Sequence, residues 1–214
     1  MKDKANVTVL VSGGGTNLQA ILDAERDGII KSGHVSLVLS NKEGAYALER
    51  AARSGVADAV VTKKSCGSQE AFEDELMRRI DEADTDLIVL AGFMSILSRR
   101  FTDKYAGRII NVHPSLIPSF CGEGYYGLRV HEAALAKGVK VTGATVHFVN
   151  EIPDGGEIIM QRAVEIEDGD TPETLQLRVM QEAEWKILPA SVEKLCAKII
   201  AQKIKKLMTD RNQH

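Results

Sequence analysis

The apolar positions of this 214-residue chain fall into short runs, and the spacing within the runs changes along the sequence. Residues 7–11 (VTVLV) are short, β-branched and apolar, the pattern of a strand buried on both faces. Residues 12–16 (SGGGT) interrupt it. Residues 17–24 then have helical spacing, with Leu18, Ile21 and Leu22 on one side. The pattern predicts a strand over 34–40, a helix over 45–54 stopped by Gly55, and a third strand over 57–61. Phe72, Leu76 and Ile80 recur at i, i+4 and i+8 in a helix over 69–82. Residues 86–91 (DLIVLA) form the most apolar strand; a short helix over 98–105 and a fifth strand over 108–112 follow. Strand alternating with helix implies an α/β fold: a doubly wound, mostly parallel, Rossmann-like sheet with helices on both faces.

The texture changes after residue 112. Pro114, Pro118, Gly122, Gly124 and Gly127 mark an irregular connection, and a helix over 130–137 ends at Gly138. Residues 140–149 alternate, placing Val141, Gly143, Thr145, His147 and Val149 on one face, and 158–166 form a further strand. The link between these two strands is too short for a crossover, so they are expected to be an antiparallel pair. Asp170 and Glu173 bracket Pro172, a helix-start signal, and the closing helix runs toward Leu207, with Pro189 expected to kink or divide it. There is no internal repeat, low-complexity tract or linker.

Composition narrows the function classes. A net charge of −3 gives no electrostatic case for nucleic acid. Lys194, Lys198, Lys203, Lys205, Lys206 and Arg211 read as a solvated helix face. Cys66, Cys121 and Cys196 are odd in number and form no CxxC, which argues against a disulfide framework or a zinc knuckle. No apolar run reaches the about 18 residues of a membrane span, and the N-terminus lacks a signal-peptide pattern. The expectation is a cytoplasmic protein without membrane or nucleic-acid partners.

Two stretches carry candidate chemistry. SGGGTNLQA (12–20) joins a strand to a helix, and its glycines let backbone amides approach an anion at the helix N-terminus. The dinucleotide fingerprint fails because its third glycine position holds Leu18, and no Gly-Lys-Ser/Thr follows for a P-loop. A site for one phosphate remains, held by amides around Gly15 and Thr16 and by the Thr16 and Asn17 side chains. A tight turn without ligand is the alternative. The second stretch is RIINVHPSLIPSF (108–120). Asn111 and His113, two apart on a strand, share one face. A neutral amide donor beside a titratable imidazole suits an oxygen that gains negative charge, as in acyl transfer. Asp154, in the turn Pro153-Asp154-Gly155-Gly156, is the candidate carboxylate; meeting His113, it would orient the ring and raise its pKa. A strand-end cap and an ordinary turn residue are the bland readings of these positions. His131 and His147 are the other histidine candidates, His147 readable as a core histidine. No His/Cys cluster points to a metal and no GxSxG to a covalent nucleophile, so direct attack by a substrate amine fits best.

SGGGTNLQA, LAGFMSIL (90–97), NVHPSLIPSF (111–120) and TVHFVNEIPDGGEII (145–159) occur in this order along nearly the whole chain. Together they resemble the folate-dependent phosphoribosylglycinamide formyltransferases. The resemblance implies formyl transfer from 10-formyltetrahydrofolate, a co-substrate, to the amine of 5'-phosphoribosylglycinamide in purine biosynthesis, without a metal. It implies a single domain over 1–214, with a phosphate-binding half (1–112) and a folate and catalytic half (113–207), acting as monomer or homodimer. Asn111 would hold the formyl oxygen, His113 would act as acid, and Asp154 would raise its pKa. Gly15, Thr16, Asn17 and Glu184 match the ribonucleotide contacts, with Glu182 a rival because spacing there differs by one residue. Met94, Ser95, Ile96, Leu97, Asn111, Asn150, Glu151, Ile152, Pro153 and Asp154 match the folate pocket. Two departures stand out. Ser95 and Gln69 occupy places that are basic in many members, and the segment 119–128 is long, with His131 just beyond it as a further contact.

Formylation of methionyl-tRNA would call for an added domain and a basic surface. Hydrolysis of the formylfolate would call for an N-terminal regulatory domain. A non-catalytic nucleotide-binding module would have no use for Asn111, His113 and Asp154 together.

Overall fold

β1 (Ala5–Val11) is apolar at almost every position because it lies in the middle of the sheet. It pairs in parallel with β2 (Gly33–Ser40) on one side and β4 (Leu87–Leu90) on the other. The seven strands run in the order β3-β2-β1-β4-β5-β6-β7. β3 (Ala57–Val60) and β5 (Ile109–His113) are also parallel, whereas β6 (Val141–Phe148) is antiparallel to both β5 and β7 (Ile158–Glu165). The computed structural model describes residues 4–211; the ends of the predicted domain, 1–3 and 212–214, lie outside them.

Period-two alternation sorts the strand side chains between two cores, one on each face of the sheet. Val7, Val9 and Val11, with Leu87, Val89, Ile110 and Val112, pack against α1 (Thr16–Arg26) and the closing helix. Leu10, Ile88, Leu90 and Ile109 face the opposite way, toward α4 (Gln69–Glu82) and α5 (Arg99–Lys104). The remaining helices are α2 (Tyr46–Arg53), α3 (Lys63–Cys66), α6 (Leu128–Lys137), α7 (Pro172–Val179) and α8 (Trp185–Arg211). No helix among the described residues is long and apolar enough to cross a membrane.

The predicted architecture agrees with the observed one, including the antiparallel β6–β7 pair. Two local features differ. α3 is one turn held by a capping box between Thr62 and Ser65, too short to show a period. Pro189 does not divide the closing helix. The register changes earlier, in a π-helical turn over Met180–Glu184. Trp185, whose carbonyl would accept the N–H that Pro189 lacks, sits at the junction of that turn with α8, so little intrahelical bonding is lost there.

Candidate active site

The α4-facing side of the β5–β6 pair changes character along its length. Ile109 and Val149 are joined by a backbone hydrogen bond and pack into the core on that side. The next rows on the same face are Asn111 opposite His147, then His113 opposite Thr145. An apolar face thus turns polar where β5 ends at the rim of the sheet, the position at which parallel sheets hold ligands.

Asp154 arrives from the β6–β7 turn. One carboxylate oxygen, Oδ2, is 3.5 Å from His113 Nδ1 and accepts a hydrogen bond from the Gly122 amide at 2.9 Å. The other, Oδ1, is 3.4 Å from His147 Nε2. The turn that delivers it is tightly constrained. Asp154 has φ 55°, and a Cβ on Gly156 would stand 1.7 Å from the Phe148 carbonyl oxygen. Gly156→Ala is therefore expected to cost about 1–3 kcal/mol of stability and to displace Asp154. A wild-type denaturation midpoint with normal turnover would contradict this.

Asp154 thus lies beside His113, and Asn111 shares the β5 face with His113 and is linked to Asp154 through His147. His147, which its alternation allows to be read as a core histidine, is part of the same group: its Nε2 lies 3.2 Å from Asn111 Nδ2. The long 119–128 segment reaches the same group, since His113 Nε2 donates to the Phe120 carbonyl at 2.8 Å. Asp154 pushes the His113 pKa up, in the direction expected, but the net shift is downward. Burial pushes it down more strongly than the Asp154 carboxylate and the Phe120 carbonyl push it up, and His147 adds a smaller downward push. The Asp154 pKa is lowered: burial raises it, but the two imidazoles and the Gly122 amide together outweigh that. His131 is fully buried, with both ring nitrogens lacking a hydrogen-bond partner among the described residues, and burial pushes its pKa down to about 4.

At the glycine loop, Gly15 caps α1 in the left-handed conformation with φ 71°. A Cβ there would lie 2.6 Å from Ala47 Cβ, so α2 packs directly on the loop. The Gly13 carbonyl accepts from the Ala47 amide, and the Gly14 carbonyl accepts from Arg50 Nε at 2.8 Å. α1 has no side-chain cap. Beside it lies a cleft of about 170 Å³ lined by Thr16, Gln19, Ala20, Asp23, Arg50 and Trp185.

Asn17 is turned inward, and its Nδ2 donates to Glu184 Oε2 at 2.6 Å. Glu184 is buried and Glu182 exposed, so the π turn directs Glu184, not its rival, toward the loop. Burial raises the Glu184 pKa to about 7 despite the Asn17 hydrogen bond. A carboxyl whose folded pKa lies above its unfolded value loses stability as pH rises through that interval. Glu184→Gln removes the ionisation cost. It is expected to stabilise the protein at pH 8 by up to about 3 kcal/mol relative to wild type, with little difference at pH 4. Equal melting-temperature differences at both pH values would contradict the assignment.

The expected folate segments flank the trio. Leu97 and Val149 pack on the same core, while Met94, Ile96 (82% exposed) and Ile152 present apolar side chains to solvent. The Met94 amide donates to Ser12 Oγ at 2.8 Å, tying this segment to the glycine loop. Ser95 Oγ accepts from Asn41 Nδ2, and Gln69 Nε2 donates to the Glu73 carboxylate and to the Ile96 carbonyl, so both side chains are engaged within the protein. Asn150 Oδ1 accepts from the Ile152 amide; Glu151 and Pro153 are exposed.

Residues 5–192 match the formyl transferase family model. The chain belongs to the formyl transferase family. It is 45% identical to phosphoribosylglycinamide formyltransferase of Escherichia coli (strain K12) over 86% of its own length and 84% of that protein. It is 44% identical to trifunctional purine biosynthetic protein adenosine-3 of Homo sapiens over 90% of its length, but spans only 18% of that much longer relative. A crystal structure of glycinamide ribonucleotide transformylase 1 from Symbiobacterium toebii superposes with a TM-score of 0.86 at 40% identity, covering 92% of this chain and 90% of that one.

Proposed function

We infer that this protein transfers a formyl group from 10-formyltetrahydrofolate directly to the amine of 5'-phosphoribosylglycinamide, the formyl-transfer step of purine biosynthesis. The meeting of Asn111, His113 and Asp154 at the rim of β5 is the observation that carries the reading. The amine attacks the formyl carbon, forming a C–N bond while the carbonyl oxygen becomes an oxyanion. An Asn111 N–H stabilises that oxygen. His113 supplies a proton to it, the formyl oxygen taking the place of the Phe120 carbonyl as acceptor for Nε2. Collapse re-forms the C=O bond, returning the oxygen's proton to His113, and breaks the bond to the folate N10, where the proton lost by the amine finishes. Asp154 orients the ring and favours its protonated form.

The uncapped start of α1, with Gly15 and Thr16, suits the ribonucleotide phosphate, and Asn17 with Glu184 suits its sugar. The pterin fits between the 94–97 and 150–154 segments, where apolar side chains stand beside backbone amides. The neutral Ser95 and Gln69 imply a weak electrostatic grip on the glutamate tail. No metal enters this reading.

Mixing protein, 10-formyltetrahydrofolate and the ribonucleotide is expected to produce the absorbance change of folate deformylation, and only when all three are present. A signal of the same rate without ribonucleotide would favour a hydrolase.

A further inference from the structure

We propose that His147 is a positioning residue for the transfer inferred above, on which the proposal rests: it fixes which end of the Asn111 amide faces the reacting formyl oxygen. The two ends of an asparagine amide have nearly the same shape, so only their hydrogen-bond partners decide the orientation. The β5–β6 register sets Asn111 directly opposite His147, with Nδ2 3.2 Å from His147 Nε2. The tautomer of His147 is determined by its other nitrogen. Nδ1 lies 2.8 Å from the Phe148 carbonyl oxygen, which can only accept, so Nδ1 carries the proton.

In the neutral ring Nε2 is then an acceptor. It takes one Asn111 N–H, and the second N–H of the same Nδ2 remains for the formyl oxygen. Without this partner the amide can rotate by a half-turn and present Oδ1, an acceptor, to an oxygen gaining negative charge. Repulsion would replace stabilisation at the point of greatest charge development. His147 is 1% exposed, so no solvent substitutes for it. Asp154 Oδ1 lies 3.4 Å from the same Nε2. His113 faces Asp154 through its other oxygen, and Thr145, the cross-strand partner of His113, bonds to Ser115 and Gln161, so neither replaces His147.

The test compares two volume-filling variants. His147→Leu keeps the packing and removes the nitrogen; His147→Gln restores a polar atom near Nε2. His147→Leu is expected to lower kcat about 10-fold or more, with KM for both substrates within about threefold of wild type. His147→Gln is expected to recover most of that loss. Added to Asn111→Ala, His147→Leu is expected to have little further effect, because the two residues act as one unit. A kcat for His147→Leu within twofold of wild type overturns the proposal. So does an effect that multiplies with Asn111→Ala, or a Gln variant no faster than the Leu variant when both melt as wild type does. Wild-type protein showing no ribonucleotide-dependent transfer removes the underlying reading and the proposal with it. Normal wild-type transfer with an indifferent His147→Leu variant removes the proposal alone.

Discussion

His113→Ala is expected to lower kcat by about 10²-fold or more while ribonucleotide binding stays near the wild-type level. The separation follows from the architecture. The glycine loop and the Asn17–Glu184 pair lie at the ends of β1 and the π turn, and neither includes His113 in its hydrogen bonds. The loss should fall on the chemical step, since His113 offers a proton only to the oxygen that gains charge. Some rate should survive, because Asn111 and the juxtaposition of the two substrates remain. Kinetics in both substrates, with a direct binding measurement for the ribonucleotide, separates the terms. Unchanged kcat would remove His113 from the mechanism, and lost ribonucleotide binding would give it another role.

Asp154→Asn should cost about 10-fold or more at neutral pH and move the pH–rate profile in a definite direction. Asp154 is the largest influence raising the His113 pKa, opposing the stronger effect of burial. Replacing the carboxylate by an amide lowers that pKa further. His113 acts as an acid, so activity is lost as pH rises through its pKa, and this limb should move to lower pH in the variant. Asn keeps an oxygen for the Gly122 amide, so the turn is expected to hold its shape. A profile superimposable on that of wild type would count against the pairing of Asp154 with His113.

Much of this architecture was legible because its central strands are buried on both faces. The runs around Val9 and Val89 read as strands without any knowledge of their neighbours. Asn111 and His113 were legible as a pair because spacing on a single strand sets a shared face. Asp154 stood out through the two glycines that follow it, and Gly156 now has a physical reason in its contact with Phe148. His147 was only half legible. Alternation put it on the same face as Thr145 and Val149, but only the register with β5 brings it to Asn111. That register is a long-range pairing which local pattern does not encode. Glu184 was preferred to Glu182 only through the resemblance, because a π turn breaks the period from which a helix face is inferred. The direction of the His113 shift depended on burial beneath the 119–128 segment, which no motif records.

The central claim is direct transfer at the rim of β5. Its most direct test is a single turnover with excess protein, formyl-labelled donor folate and ribonucleotide. The account predicts that label passes from folate to ribonucleotide in one exponential phase, that none is found on the protein, and that His113→Ala slows this phase about 10²-fold. Label trapped on the protein, or released as formate at the same rate without ribonucleotide, would contradict it.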